Sequence, residues 1–545
     1  MKSSGLVLED SAIAERIASS NGQTVLRLAD PHKTVDPIRQ KYFNNLGDIA
    51  RQSSIYFAGS TFTLLAGYLF RIVVARELGA ELLGWNALGM GLYGLCKLLG
   101  QMGLPQTAVK FVASYAGRKE THRLSDFFWR GLFCTVAGTA SFGVIVFIAR
   151  HWISARVFHA PGFALYLPLF AILIPVGATN AFLLQTLCGF RKVSRSTAIT
   201  SFISFPCMML LTIAGFALGL SLFGYVAAQL AAEALTLILA AISLRRLLPQ
   251  VERWNDLGGG PLLPEMRRFA ISMFSIGFLE FVLSQADRLI AGSYIAAKQV
   301  GIYAVAGSAT AMLAIMLQSV NSIFGPTIAN LHAQGEYRVL GHLFETLTKW
   351  ILGLSIPLIL LFMIWSRSLM GLFGADFQAG SSLLVILCFG QAVNCGTGSV
   401  GYLLLMSGHQ KEMIRGQLIF GILLLIADWS LIPVAGVRAA AVVSALGTAA
   451  INLYCLTVVR RRLGLFPYTR SYFKLVCPGL AAAATIWVAR MAAVARHSAV
   501  LPSIIFALVF GYGIFLASLL LFGVDDDDRA LIEVGRARIS AMFAG

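Results

Sequence analysis

About fourteen stretches of roughly 22–27 residues, nearly free of charge and rich in Leu, Ile, Val, Ala, Phe and Gly, follow one another between residues 53 and 523. A run of about 20 such residues matches the hydrocarbon core of a bilayer, because a helix rises about 1.5 Å per residue across about 30 Å. In lipid every backbone N–H and C=O must be satisfied within the chain, which leaves helices or closed barrels as spanning structures. Helical length settles the choice. The spans are expected at roughly 53–75, 82–104, 127–149, 163–187, 197–219, 221–244, 267–291, 301–325, 343–366, 381–407, 413–434, 436–459, 471–495 and 499–523. The fold class is therefore an all-α polytopic membrane protein. Only 13% of residues are charged, against roughly 25% in soluble domains.

The net charge of +17 invites a nucleic-acid reading, but its distribution argues against one. With the N-terminus inside, about 29 Lys and Arg fall in cytoplasmic segments and about 7 outside. That asymmetry is the positive-inside signature, and no stacking platform or binding motif accompanies the clusters. Arg191–Lys192, Arg245–Arg246, Arg267–Arg268 and Arg460–Arg462 all lie on the expected inner side. The eight cysteines are scattered, without CxxC or Cys/His spacing, and read as small packing residues. Residues 1–50 are polar, with no apolar signal region, and read as a cytoplasmic extension with a helical tendency around Ser11–Ser19.

Shifted against itself by about 217 residues, the chain matches at Arg51 with Arg268, Phe57 with Phe274, Arg71 with Arg288, Ala80 with Ala297, and Gly84 with Gly301. An even number of spans per repeat makes the two copies parallel, related by an axis along the membrane normal, a common transporter plan. The expected organisation is an N-terminal extension 1–50, a six-helix bundle 51–246, a cytoplasmic linker 247–266 and a second bundle 267–462. A helix pair 463–523 and a cytoplasmic tail 524–545 complete the chain. The linker carries the breaker Gly258–Pro261, and the tail opens on Asp525–Asp528 ahead of a surface helix Arg529–Phe543.

No Walker motif, HExxH or GxSxG is present, so neither ATP hydrolysis nor another catalytic chemistry is expected, and no cofactor or metal site. The informative residues are ionisable groups inside spans, which are expensive in lipid and therefore functional candidates. Arg71, Lys97 and Arg288 suit an anionic head group, guanidinium being matched to bidentate contact. Asn86, Tyr93 and Lys97 form one polar stripe, and Gln318, Asn321 and Ser322 another; Asn86, Tyr93, Gln318 and Asn321 join the substrate-binding candidates. Glu280, Ser284 and Asp287 share a helical face, and with Glu233 supply the ion-coupling candidates Glu280, Asp287 and Glu233. Against this stands a plainer alternative: by depth Arg71, Asp287 and Arg288 lie toward the outer interface, where long side chains snorkel and ion pairs fix helix ends. Asp428 and Arg490 lie nearer the outer ends of their spans. Pro175, Pro206 and Pro357 are expected to kink the spans that hold them.

The chain also resembles the Wzx-type polysaccharide and oligosaccharide-lipid flippases of the multidrug/oligosaccharidyl-lipid/polysaccharide superfamily. The resemblance covers about residues 50–525 and rests on Ala75-Arg76-Glu77-Leu78-Gly79, on Gln285–Arg288 leading into Val300-Gly301-Ile302-Tyr303, and on Phe324–Ala329 and Leu372-Phe373-Gly374. The stretch Gly398–Gln410 carries most of it. The resemblance implies two six-helix bundles plus a terminal pair and alternating access in the bacterial inner membrane. It implies a non-enzymatic flippase moving an undecaprenyl-diphosphate-linked oligosaccharide toward the periplasm for exopolysaccharide, capsule or O-antigen assembly. The partners so implied are that glycolipid, membrane lipids, H+ or Na+ as coupling ion, and polymerase or export proteins. Competing readings are a drug/cation antiporter of the same superfamily, a peptidoglycan lipid II flippase and, from another class, a membrane glycosyltransferase or ligase. The last usually needs a large outer loop, and the longest here is about a dozen residues.

Overall fold

The structure, a computed structural model, describes residues 37–248, 264–496 and 499–521. The segment Ser11–Ser19, the breaker Gly258–Pro261 and the tail from Asp525 lie outside the described residues. The chain divides into two units, Met1–Ser54 and Ile55–Gly545. Of the first, residues 37–54 are helical; everything that follows concerns the second.

Thirteen helices among the described residues are long and apolar enough to cross a membrane. The first, α1 (Ala58–Gln101), has 44 residues, about twice what a bilayer requires. It breaks at Gly79, where φ is 71° and ψ is 177°, so its two limbs make two passes and the total meets the expected fourteen. The remaining first-half helices are α2 (Leu104–Arg118), α3 (Thr121–Ile148), α4 (Leu167–Gly189), α5 (Val193–Ala217) and α6 (Ser221–Arg245). The second half runs α7 (Pro264–Tyr294), α8 (Ala297–Ala311), α9 (Ile315–Gln334), α10 (Tyr337–Ile364), α11 (Ser381–Thr397), α12 (Val400–Met406), α13 (Gln410–Ala435) and α14 (Val437–Leu463). The terminal pair is α15 (Val476–Ala495) and α16 (Val500–Leu521).

The expected single span 381–407 is instead two pieces. Helix α11 stops at Gly398, whose φ of 68° is a left-handed value that glycine adopts freely. A Cβ there would lie 2.3 Å from Thr348 Oγ1, so the close passage of α10 also requires glycine. The expected span 301–325 is one passage, Ala297–Asn321, which tightens to a 3-10 turn at Met312–Ala314 where α8 continues into α9. Helix α4 continues through Pro175 and α10 through Pro357. The Thr179 hydroxyl donates to the Pro175 carbonyl at 2.7 Å. Pro206 acts differently: a π-helical segment, Ala198–Ser204, precedes it. Proline lacks the N–H and crowds the carbonyl four residues back, and the wider turn relieves both.

The packing repeats as the sequence does. In the first half α3 lies on α4, α4 on α6 and α5 on α6; in the second α10 lies on α11, α11 on α14 and α13 on α14. The halves meet at a reciprocal crossing. A Cβ on Gly84 would sit 1.8 Å from the Ala297 carbonyl oxygen, and a Cβ on Gly301 would sit 2.0 Å from that of Ala80. These are the repeat-matched pairs, Ala80 with Ala297 and Gly84 with Gly301, each touching the other copy's member. A two-fold relation about this point requires that exchange.

Around the crossing, side chains meet at the ends that the charge distribution assigns to the outer side. Arg76 Nε donates to the Leu372 carbonyl at 2.7 Å, Tyr68 meets Phe373 edge-on at 6.0 Å between centroids, and Lys298 pairs with Asp376 at 3.0 Å. On the opposite side α2 packs against α7. Phe111 and Phe269 stand 6.0 Å apart, and Lys110 lies over the Phe269 ring at 4.2 Å. Helices α15 and α16 pair with each other and lie against α10. There Arg490 Nη1 donates to the Ile364 carbonyl at 2.7 Å and Trp365 Nε1 to the Ile486 carbonyl at 3.2 Å. Arg490 is thus a helix-end clasp, as its position near the end of a span suggests.

Candidate functional site

The break at Gly79 folds α1 back so that both of its limbs reach one cavity between the halves, of about 440 Å³. Arg71 comes from the first limb and Asn86, Met90 and Tyr93 from the second; α6 adds Tyr225 and Gln229, and α7 adds Phe281, Gln285 and Arg288. Arg71 and Arg288, matched across the repeat, therefore share one cavity and lie within electrostatic reach of each other. Gln285 Oε1 accepts from Arg288 Nη1 at 3.2 Å, and the Tyr225 and Tyr68 hydroxyls lie near Arg71. Among the described residues no ion pair engages either arginine. Both arginines line the cavity between the halves. Arg71 is exposed and Arg288 half-buried, and two like charges within reach of each other are unfavourable alone and favourable around a shared anion. Their forked donors suit phosphate oxygens.

A second cavity, of about 370 Å³, lies inside the first half. Tyr93 and Lys97 of α1, Asn180 of α4, Thr200 and Ser204 of α5, and Gln229, Glu233 and Thr236 of α6 line it. Met90, Tyr93 and Gln229 line both cavities, so the two adjoin. Lys97 Nζ donates to Tyr93 Oη at 3.1 Å. The Tyr93 hydroxyl has room because residue 177 is glycine: a Cβ there would lie 2.1 Å from it. Asn180 Nδ2 donates to the Glu233 carboxylate and, at 2.6 Å, to the Glu233 carbonyl.

A third cluster is acidic and lies within the second half. Tyr303 of α8 donates its hydroxyl to Asp287 Oδ2 and interacts with Ser444 of α14. Asp428 of α13 is 4% exposed, lies within electrostatic reach of Asp287, and has an Oδ1 without a hydrogen-bond partner. Two carboxylates, a phenol and a hydroxyl from four helices thus converge on one interior point. Asp287 and Arg288 are consecutive on α7, so they point about 100° apart, one toward the acids and the other toward the cavity between the halves.

Of the residues that the sequence singles out, Arg71, Asn86, Tyr93 and Arg288 come together in the first cavity, and Lys97, Tyr93 and Glu233 in the second. Asp287 joins the acidic cluster. Gln318 is exposed, Asn321 is buried with a partnerless Oδ1, and Glu280 is exposed; none of the three lines either cavity. The sequence does not mark Asn180, Tyr225 or Gln229, and Gln285 enters only within the family-like stretch Gln285–Arg288. All are uncharged polar or aromatic groups, whose presence in a span raises no alarm by itself. Asp428 did carry a signal, as a lone acid in an apolar run, but its depth hid its pairing with Asp287.

A family model described as polysaccharide biosynthesis protein matches residues 49–332, a little over half of the chain, and one described as MatE matches residues 273–415. No curated protein matches the chain. Among solved structures the fold is similar to that of the lipid II flippase MurJ in an inward closed conformation, with TM-score 0.65 and 13% identity over 86% of this chain and 97% of that one. It is similar also to an inward-facing multidrug resistance MATE family transporter, with TM-score 0.56 and 14% identity over 74% and 94% of the two chains. A mutant of the Vibrio cholerae MATE transporter VcmN gives TM-score 0.51 and 15% identity over 78% and 100%. At these identities the likeness establishes the fold: the all-α, multi-pass architecture of that transporter superfamily.

Proposed function

The chain belongs to the polysaccharide biosynthesis protein family, and from that premise we propose that it flips an undecaprenyl-diphosphate-linked oligosaccharide from the cytoplasmic to the periplasmic leaflet of a bacterial inner membrane. The product feeds exopolysaccharide, capsule or O-antigen assembly. The observation that carries the reading is the convergence of Arg71 and Arg288 on one cavity between the halves, with no carboxylate among the described residues paired to either. Sugar hydroxyls and phosphates cannot enter hydrocarbon unaided, whereas a cationic cavity shelters them and leaves the polyprenyl tail in lipid.

Transport proceeds by rocking of the halves about the Gly84–Gly301 crossing. Contacts of Arg76 with Leu372 and of Tyr68 with Phe373 hold the halves together on the outer side, and breaking them opens it. The driving ion binds at Asp287 with Asp428, since a desolvated carboxylate pair is favourable once a proton or Na+ sits between them. Glu280, exposed and outside the cavities, is a weaker coupling candidate than Asp287.

Membrane insertion and polymer export are measured together for Arg71→Ala, Arg288→Ala and the double variant. Normal insertion with strongly reduced export is expected; full export by the double variant refutes diphosphate binding at this site. The glycolipid that accumulates on the inner leaflet without the chain identifies the cargo. A lipid II flippase would leave the peptidoglycan precursor there, and a drug antiporter would leave none.

A further inference from the structure

The two adjoining cavities differ in chemistry, and the difference assigns them to different parts of one molecule. We propose that the chamber inside the first half, with the groove that opens from it between α1 and α5, holds the glycan of the cargo while the diphosphate stays at Arg71 and Arg288. The proposal rests on the diphosphate reading above and adds a second, separate site to it.

The chamber is poorly suited to an anion. Its one lysine is already engaged with the Tyr93 hydroxyl and ring, and its Glu233 carboxylate would repel phosphate at close range. Its lining is mostly apolar with a few placed polar groups, the usual make-up of a small-ligand pocket. Asn180 and Gln229 each carry an amide oxygen without a hydrogen-bond partner, and Glu233, whose Oε2 accepts from Asn180, adds its Oε1. Sugar hydroxyls are donors as well as acceptors, and planar amide and carboxylate groups can bridge neighbouring hydroxyls. Tyr93 and Phe205 supply aromatic surface for the apolar C–H faces of a sugar ring. The volume of about 370 Å³ lies within the range of roughly 300–1,000 Å³ usual for small-ligand pockets.

The chamber does not end at α5. Thr200 and Phe205 also line an open groove of about 490 Å³, whose other walls carry Tyr56, Ser60, Thr63 and Ser201. Most of these residues carry a hydroxyl on an otherwise apolar wall, and Thr63 Oγ1 has no hydrogen-bond partner. The junction falls on the π-helical segment Ala198–Ser204, a wide turn of the kind that recurs at functional sites. At the other end the chamber meets the arginine cavity at Tyr93 and Gln229. A diphosphate held by Arg71 and Arg288 therefore delivers its first sugar to Tyr93, and later sugars pass Asn180 and Glu233 toward the hydroxyl groove.

Two probes on the purified full chain in lipid nanodiscs decide it: bare undecaprenyl diphosphate, and the glycolipid fraction extracted from cells that lack the chain. The parent protein is expected to bind the glycolipid at least tenfold more tightly than the bare diphosphate, about three- to tenfold per hydrogen bond gained. Asn180→Ala and the chamber-filling Ala181→Phe are expected to abolish that preference and to bind the bare diphosphate as the parent does, which also shows that they fold. Equal affinity of the parent for both probes, or a preference kept by both variants, overturns the glycan chamber and leaves the arginine site intact. Binding of the bare diphosphate that survives Arg71→Ala with Arg288→Ala overturns the diphosphate reading, and this one with it.

Discussion

Replacing Gly301 by alanine tests the crossing on which the halves meet. The new Cβ would stand 2.0 Å from the Ala80 carbonyl oxygen and 2.8 Å from the Gly84 nitrogen. A carbon–oxygen contact settles near 3.3 Å, so the helices must part by about 1.3 Å. The obstructing atoms are backbone, and no side-chain rotation relieves them. Overpacking of this kind costs about 1–3 kcal/mol, of which up to about 1 kcal/mol returns as helix propensity. A net penalty of about 1–2 kcal/mol lowers the outer-closed population roughly five- to thirtyfold relative to a state with the halves apart. Spin labels on Glu77 and Ala375, which flank the Arg76–Leu372 contact, report the gap in nanodiscs as a distance distribution. A shift toward longer distances and a lower melting temperature are expected. Gly84→Ala, whose Cβ would lie 1.8 Å from the Ala297 oxygen, behaves alike. Gly117→Ala, with nothing within 4 Å, is the control. Parent-like distances and melting in both crossing variants refute the tight, closed crossing.

Arg490→Ala removes a charge-assisted hydrogen bond to the Ile364 carbonyl, worth about 1.5–3 kcal/mol; melting in nanodiscs falls while affinity for undecaprenyl diphosphate holds, and an unchanged melting temperature refutes the clasp. Asp428→Asn leaves the arginine cavity untouched but removes one of the two buried carboxylates. Stimulation of transport by a proton or sodium gradient is lost in proteoliposomes, whereas stimulation at the parent level sends the coupling ion elsewhere.

Much of this was legible from periodicity and spacing, for physical reasons that differ by element. The spans follow from apolar length because lipid leaves the backbone no alternative to a helix. The 217-residue offset located the pairs Ala80–Ala297 and Gly84–Gly301 before any contact was known, because close backbone approach across a two-fold demands the same small residues in both copies. Arg71 and Arg288 are legible as candidates, but their depth in the sequence points equally to the interface, and it is the arrangement of the halves that brings both to one cavity. Gly398 was read as part of a continuous span, since one glycine in an apolar run carries no mark of its φ. Gln318 and Asn321 were grouped with the site by their shared stripe, yet a stripe fixes a helix face and says nothing of what that face meets.

Helix α7 joins the two chemistries, because Asp287 and Arg288 are neighbours on it that face different interiors. A cation at Asp287 and Asp428 and a diphosphate at Arg288 therefore act on the same rigid element, and either one biases its rotation. Coupling between two binding sites is reciprocal: if the ion changes cargo affinity by some factor, the cargo changes ion affinity by the same factor. For couplings of the usual 1–3 kcal/mol that factor is about 5–150. Undecaprenyl diphosphate affinity is measured with and without the ion, and ion affinity with and without the diphosphate. Equal factors are expected in the parent, and factors near one in Arg288→Ala, which keeps both carboxylates but loses the lever. Tyr303→Phe removes only the hydroxyl that holds Asp287, so the coupling weakens there while diphosphate affinity without the ion stays at the parent value. An ion effect on cargo that survives Arg288→Ala undiminished places the coupling outside α7 and defeats the argument.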